Sequence, residues 1–152
     1  MNVLFVCLGN VCRSPMAEGL LKKKFEENEI EGIVDSAGFE SFTINDPPDK
    51  RAVKVAKQFG VEVSGKARLF VKSDFDKFDH IYVMDTLNYR DAKYLAKNNS
   101  EIEKIDYLLN VLYPGKNITV PDPFLQGEHE CRVVFELLDK ATTKIVENIK
   151  SS

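Results

Sequence analysis

Short apolar runs alternate with helical patterns along this chain, and that alternation constrains its fold more than any other feature. Residues 3–6 (Val-Leu-Phe-Val) are continuously apolar, as expected of a strand buried on both faces. Similar strand patterns recur at residues 33–38, 81–84 and 107–109, and helical spacing occupies residues 14–25, 51–59, 87–97 and 127–149. Strands that alternate with helices form a parallel sheet with right-handed crossovers. The sequence therefore predicts an α/β fold, a single-domain, four-stranded parallel twisted sheet with helices on both faces.

Composition narrows the choice of partners. The chain has 152 residues, enough for one domain, which we expect to span residues 1–152. Its formal net charge of -3 argues against nucleic acid or an anionic membrane as the main partner. Its three cysteines, an odd number, do not fit a secreted disulfide framework. The expectation is a monomeric, cytoplasmic protein whose thiols stay reduced.

The segment that follows the first strand carries the strongest chemical signal. In open parallel sheets, ligands bind beyond the carboxyl ends of the strands, which is where Cys7 and Arg13 lie with five residues between them. Ser14 as N-cap and Pro15 at the first helical position then predict a helix start. A loop in this setting can turn its N–H groups inward as an anion nest that favours the Cys7 thiolate, and Arg13 can hold two phosphate oxygens. We interpret the segment as a phosphate-binding loop with a nucleophile, whose further members are Leu8, Gly9, Asn10, Val11, Cys12 and Ser14.

Two segments far apart in the chain carry a family resemblance. Residues 7–14 (CLGNVCRS) are similar to the signature loop of the low-molecular-weight protein tyrosine phosphatases. Residues 120–124 (VPDPF) resemble the acid loop of that family. The intervening segments 35–38 (DSAG), 66–68 (KAR) and 84–88 (MDTLN) fall in the family's order, so the likeness covers essentially the whole chain.

The resemblance implies hydrolysis of phosphotyrosine through a phosphocysteine on Cys7, with Arg13 holding the phosphate. Asp122 becomes the general acid and then the general base. A phenolate leaving group, whose conjugate acid has a pKa near 10, benefits from such a proton donor. Loop N–H groups and Arg13 can stabilise the negative charge of the transition state, so we expect neither a metal ion nor a cofactor. The expected partners are phosphotyrosine-containing proteins, with inorganic phosphate and other oxyanions as product or inhibitors.

Supporting roles follow from the same resemblance. Ser14 can donate its hydroxyl to the Cys7 sulfur as well as cap the helix, and Asn10 with Ser36 resembles the family's pair that braces the loop. Two aromatic residues, Phe42 and Phe124, stand where family members place the walls of the substrate pocket.

The sequence departs from the family pattern at two positions. Gly65 stands where a histidine often precedes the Lys-Ala-Arg stretch, which removes one possible brace for Asn10. Leu125 stands where a second tyrosine is common, which changes one edge of the pocket.

Cysteine positions bear on two further expectations. Cys7 and Cys12 share one loop, so we hypothesise that mild peroxide joins them in a reversible disulfide. Cys131, on the last helix, is expected to be poorly placed for a disulfide relay, which argues against an arsenate reductase of the same fold.

Two more functions compete with tyrosine phosphatase activity at this stage. A phosphoarginine phosphatase resembles the chain too but typically carries threonine where Val11 stands. A non-catalytic anion-binding module is opposed by the presence of Cys7, Arg13 and Asp122 together.

Overall fold

The computed structural model describes residues 1–124 and 126–152. Within those residues four parallel strands form one sheet, namely β1 (Val3–Val6), β2 (Val34–Ala37), β3 (His80–Val83) and β4 (Ile105–Tyr107). Their spatial order is β2-β1-β3-β4, so the first strand is central. The predicted fold class is confirmed.

Helices connect and cover the strands. They are α1 (Arg13–Glu27), α2 (Lys50–Gln58), α3 (Asp74–Lys77), α4 (Thr86–Leu95), α5 (Asn99–Ile102) and α6 (Glu128–Lys150), with 3₁₀ turns at Ser41–Thr43 and Leu108–Val111. The sequence pattern did not predict α3 or α5, because single turns are too short to show a period. The fourth strand was predicted at residues 107–109, but it ends at Tyr107. A short buried apolar run does not by itself distinguish a strand from a turn.

The side chains of β1 alternate between two layers of core. Val3 and Phe5 pack with residues of α1 and α6, whereas Leu4 and Val6 pack with residues of α3 and α4. All of them are completely buried. The continuous apolar run thus has the burial on both faces that the sequence predicted.

The start of α1 differs from the prediction. Cys12 is the N-cap residue and Arg13 the first helical residue, so Ser14 and Pro15 lie inside the first turn. Ser14 does not cap the helix because its hydroxyl is directed to another partner, the Cys7 sulfur. The loop therefore passes into the helix earlier than the capping pattern suggested.

The last helix closes one side of the molecule. α6 has 23 residues and packs against α1 and α2. Its buried residues include Cys131, Val134, Phe135, Leu138, Ala141 and Ile145. In the part of the chain that the structure describes, neither α6 nor any other helix is long and apolar enough to cross a membrane.

Candidate active site

The loop between β1 and α1 lies beyond the carboxyl end of the central strand. The Cys7 N–H donates to Ala37 O at 3.2 Å, which extends the pairing of β1 with β2 to the first loop residue. At the other end, Met16 N–H donates to Cys12 O at 3.1 Å in the first turn of α1. The loop is therefore anchored at both ends by regular backbone hydrogen bonds.

Cys7 is buried, with only 3% of its surface exposed. Its Sγ lies 2.9 Å from Ser14 Oγ and accepts the Ser14 N–H at 3.4 Å. Ser14 Oγ also accepts a hydrogen bond from Asn10 Nδ2 at 2.9 Å. Because the Asn10 donor occupies an oxygen lone pair, the Ser14 hydroxyl proton is free to point at the sulfur. Two donors of Ser14, its hydroxyl and its backbone N–H, are thus directed at the Cys7 sulfur.

Asn10 holds the loop in shape from its centre. It adopts a left-handed backbone conformation with φ of 55°, which asparagine tolerates better than most residues. Its Nδ2 donates to Ser14 Oγ and to Ser36 Oγ, both at 2.9 Å, and its Oδ1 accepts the Arg68 N–H at 3.0 Å. Gly65 cannot brace Asn10 as a histidine there could, but both the nitrogen and the oxygen of the Asn10 side-chain amide already have hydrogen-bond partners.

Ser36 continues this network to the first helix. Its hydroxyl donates to Glu18 Oε1 at 2.5 Å while it accepts from Asn10. Each donor and acceptor in the chain from Glu18 to the Ser14 hydroxyl thus has a fixed direction. Sequence analysis placed Ser36 in this network and missed Glu18, because a single acidic residue in a helix gives no signal of its own.

Gly38 allows the loop to pass close to the end of β2. A Cβ atom at this position would lie 2.8 Å from Leu8 O and 2.9 Å from Asn10 N, closer than real contacts. The backbone N–H groups of Phe39 and Glu40 both donate to the same Leu8 oxygen. A side chain at residue 38 would push the phosphate loop away from this anchor.

Arg13 is buried and held by three oxygens. Its Nη1 donates to Asp85 Oδ2 at 3.0 Å and to Val120 O at 2.9 Å, and its Nη2 lies 3.6 Å from Asp122 Oδ2. Asp85 is itself fixed as the N-cap of α4, where it accepts the Asn88 N–H at 2.9 Å. Sequence analysis missed the role of Asp85, although an aspartate between a strand and a helix is a recognisable N-cap signal.

Asp122 stands at the entrance of the site, with 45% of its side chain exposed. Its Oδ1 accepts the Phe124 N–H at 3.0 Å. A carboxyl group that faces both solvent and the arginine of the phosphate loop can exchange protons with water and with a bound ester.

The predicted site residues other than Asn10, Ser14 and Ser36 line one small cleft of about 140 Å³. Its lining comprises Cys7, Leu8, Gly9, Val11, Cys12, Arg13, Glu40, Phe42, Thr43, Asp122 and Phe124. Phe42 is 79% exposed and Phe124 is 46% exposed, so neither belongs to the hydrophobic core. Glu40 and Thr43 were missed because a lone acid and a lone hydroxyl in a connecting segment carry no pattern. Leu125, the second departure from the family pattern, lies outside the described residues.

Cys12 lies beneath the loop and against the last helix. Its pKa is raised well above the usual range, because its thiol hydrogen-bonds Cys131 and because burial disfavours the thiolate. Cys131 also contacts Met16 with 4.0 Å between the two sulfur atoms. The expectation that Cys131 is poorly placed for exchange with the loop is wrong, because the packing of α6 on α1 brings it next to Cys12.

No group of three or more histidine, cysteine or acidic side chains is arranged to hold a metal ion in residues 1–124 and 126–152. Arg13 brings a positive charge to the site. The chemistry that the arrangement supports is attack by a thiolate on a bound oxyanion, with a carboxyl group at the entrance.

Comparisons with known proteins agree with this geometry. The family model described as low molecular weight phosphotyrosine protein phosphatase matches residues 2–152. A relative of that name from Gallus gallus is 36% identical over 137 residues, which are 89% of this chain and 87% of the relative. The structure of a protein tyrosine phosphatase from Entamoeba histolytica has a TM-score of 0.92 at 35% identity, with 99% of this chain and 97% of that chain covered. A Drosophila arginine phosphatase has a TM-score of 0.91 at 30% identity, with 99% and 98% covered. The chain therefore belongs to the low molecular weight phosphotyrosine protein phosphatase family, whose members hydrolyse phosphate monoesters.

Proposed function

We propose that this protein hydrolyses phosphotyrosine in proteins, and aryl phosphates generally, through a phosphocysteine on Cys7. The observation that carries the proposal is that Cys7, Arg13 and Asp122 line one cleft together with the exposed rings of Phe42 and Phe124. An aryl phosphate places its phosphate against the loop and its ring between these side chains.

In the first step, the loop N–H groups and Arg13 hold the equatorial phosphate oxygens. The Cys7 thiolate attacks phosphorus, so that an S–P bond forms as the ester P–O bond breaks. Asp122 gives its proton to the departing phenolate oxygen. Arg13 needs no reorganisation for this task, because Asp85 and the Val120 carbonyl already fix its guanidinium.

In the second step, the Asp122 carboxylate takes a proton from a water molecule that attacks phosphorus. The P–O bond to water forms as the S–P bond breaks, and the electron pair returns to Cys7 as a thiolate. The Ser14 hydroxyl, 2.9 Å from that sulfur, stabilises the leaving thiolate. Inorganic phosphate is the product and, with other oxyanions, an inhibitor of the same loop.

Phosphoarginine is a second candidate substrate. The Drosophila relative bears the name arginine phosphatase, and Glu40 places a carboxylate in the cleft that can pair with a guanidinium. We favour phosphotyrosine because Val11 offers apolar contact and no hydrogen-bond partner, and because Phe42 and Phe124 present aromatic surface.

The deciding experiment compares kcat/KM for a phosphotyrosine peptide and for phosphoarginine, with and without a chelator. We expect a strong preference for phosphotyrosine that the chelator does not change. Val11→Thr replaces a methyl group by a hydroxyl in a side chain of nearly the same size, and it should raise activity on phosphoarginine relative to phosphotyrosine. A native preference for phosphoarginine would overturn the tyrosine assignment, and an unchanged ratio in the variant would place specificity at Phe42 and Phe124.

Arsenate is a useful third substrate in this comparison. The contact between Cys12 and Cys131 removes one argument against a disulfide relay. An arsenate reductase would turn over arsenate with thiols and lose that activity in Cys131→Ser. We expect no such turnover, because the exposed phenylalanines of the cleft serve an aryl group and not a small oxyanion.

Redox control is the finer part of the proposal. Peroxide oxidises the Cys7 thiolate to a sulfenic acid, and the Cys12 thiol then displaces water to give a disulfide that protects Cys7 from further oxidation. This control requires a reducing compartment to restore the thiols, so the proposed location is the cytoplasm.

A further inference from the structure

Arg51, on the first turn of α2, donates hydrogen bonds to the loop that carries Asp122. Its Nη1 donates to Gln126 O and its Nη2 to Phe124 O, on either side of residue 125. The guanidinium therefore contacts two backbone carbonyls of the segment that follows Asp122. A lysine has one donor centre and cannot hold both oxygens in this fork geometry.

Asp49 fixes the other side of the same guanidinium. Its Oδ1 accepts from Arg51 Nε at 3.1 Å and its Oδ2 accepts from Arg51 Nη2 at 2.9 Å. It also caps α2 by accepting the Arg51 N–H at 2.8 Å. These bonds from Arg51 hold the pKa of Asp49 below its usual range, so the pair stays charged through the neutral range.

The backbone of Asp49 connects this pair to the phosphate loop. Its N–H donates to Val11 O at 2.7 Å. A continuous chain of hydrogen bonds thus runs from Val11 through Asp49 and Arg51 to Phe124. It ends at the acid itself, because the Phe124 N–H donates to Asp122 Oδ1 at 3.0 Å.

From this chain of contacts we propose that Arg51 is a positioning residue for the general acid, with Asp49 as the strut that ties it to the phosphate loop. Arg51 lines no part of the cleft and acts through the backbone of residues 124 and 126. It sets the height of the Asp122 carboxyl above the bound phosphate. The inference rests on the proposed role of Asp122.

The expected signature is a loss that depends on the leaving group. A misplacement of about 1 Å can cost about 10²-fold in rate. Arg51→Ala should therefore lower kcat/KM, which reports the first step alone, by about 10²-fold for phenyl phosphate, whose leaving group needs the proton. For 2,4-dinitrophenyl phosphate, whose leaving group needs none, the loss should stay within about threefold. Arg51→Lys should resemble Arg51→Ala, because the fork is lost although the charge remains.

The matched control is Arg132→Ala. Arg132 is a partly exposed arginine of α6 that donates to the Gln58 side chain of α2 and pairs with Glu128, and its polar partners in the described residues do not include 122–124 or 126. Its removal should leave kcat unchanged for both esters. Thermal unfolding of each variant shows whether it is folded, and kcat/KM for the dinitrophenyl ester shows that the phosphate loop is intact.

A double-mutant cycle with Asp122→Asn separates the two proposals. If Asp122→Asn shows the leaving-group dependence, adding Arg51→Ala should cost less than about threefold more, because the acid it positions is already gone. Equal losses for both esters in Arg51→Ala, or additive losses in the double variant, would overturn the positioning role. If Asp122→Asn itself shows no leaving-group dependence, the acid assignment fails instead.

Discussion

The two loops that meet at the cleft are held in opposite ways. In the phosphate loop the polar and reactive residues are buried: Cys7, Asn10 and Arg13 each expose less than 5% of their surface, although Leu8 at the rim is 40% exposed. The acid loop is open, with 45% of the Asp122 side chain and 46% of Phe124 exposed. The first is fixed by a network of side chains beneath it, and the second by backbone carbonyls that one arginine grips from outside.

The difference reflects what each loop has to do. In the proposed reaction, charge that develops on phosphorus must find donors already in place, so the phosphate loop has to be rigid before substrate arrives. The proposed acid loop must admit an aryl group and exchange protons with water, so it cannot be buried. Hydrogen bonds at a solvent-exposed site contribute less stability than those in a shielded network. Substitutions in the two loops should accordingly differ in what they damage.

The largest effect should come from the nucleophile in the buried loop. Cys7→Ser should lower kcat for an aryl phosphate by more than about 10⁴-fold, because serine is not ionised at neutral pH and removal of a nucleophile is among the costliest changes in an enzyme. The measurement is steady-state turnover of 4-nitrophenyl phosphate. Cys131→Ser, also a buried cysteine, is the control and should keep most of its activity. Substantial turnover by Cys7→Ser would contradict covalent catalysis.

Next in size is the acid at the open loop. Asp122→Asn should slow phenyl phosphate hydrolysis by about 10²–10⁴-fold, the usual contribution of a general acid. The loss in kcat/KM, which reports the first step alone, should shrink as the leaving-group pKa falls across a series of substituted phenyl phosphates. Thermal stability should hardly change, since the carboxylate is exposed. A uniform loss across the series would remove Asp122 from the acid role.

Asn10, which braces the phosphate loop, should affect stability more strongly than Asp122 does. Asn10→Ala leaves buried partners unpaired at Ser14, Ser36 and Arg68, so it should lower the free energy of unfolding by about 2–3 kcal/mol. Urea denaturation measures the change. The control is Asn110→Ala, at a site where the asparagine also makes three side-chain hydrogen bonds but close to solvent, and its cost should stay below about 1 kcal/mol. Equal costs at the two positions would show that burial of the brace is not what stabilises the loop.

The smallest effect on turnover should come from the thiol under the loop. Cys12→Ser should keep kcat within about threefold, because Cys12 makes no bond in the proposed reaction. After peroxide treatment, however, the wild type should regain activity with a thiol reductant and the variant should not. Cys131→Ser tests the competing partner: recovery should persist if Cys7 and Cys12 form the protective disulfide. Full recovery by Cys12→Ser would exclude that disulfide.

Local sequence patterns were enough to predict the strand and the loop that carry the cysteine and the arginine of the site. The run Val3–Val6 has the two-sided burial that its composition predicts, and the segment after it contains the buried cysteine and arginine of the cleft. Phe42 and Phe124 were placed on the pocket by resemblance, and both line it. The predictions were wrong where one sequence pattern is compatible with two local structures. By sequence, Ser14 could be either the N-cap of the helix or a hydrogen-bond partner of the Cys7 thiol. Its role as the thiol partner is decided by the position of Cys7 in the folded loop.

By itself, the sequence determined the parallel sheet and the loop from Cys7 to Arg13. These depend on spacing within short stretches, where the order of residue types fixes backbone geometry. The segment around Asp122 was indicated by its resemblance to a known family and not by spacing. Tertiary structure alone decided that Asp85 locks Arg13, that Cys131 reaches Cys12, and that Arg51 spans from Asp49 to the acid loop. Each of these contacts joins residues that, apart from the Asp49–Arg51 pair, are more than 70 positions apart in the chain. No local pattern encodes such a distance, because it is set by how helices pack on a sheet.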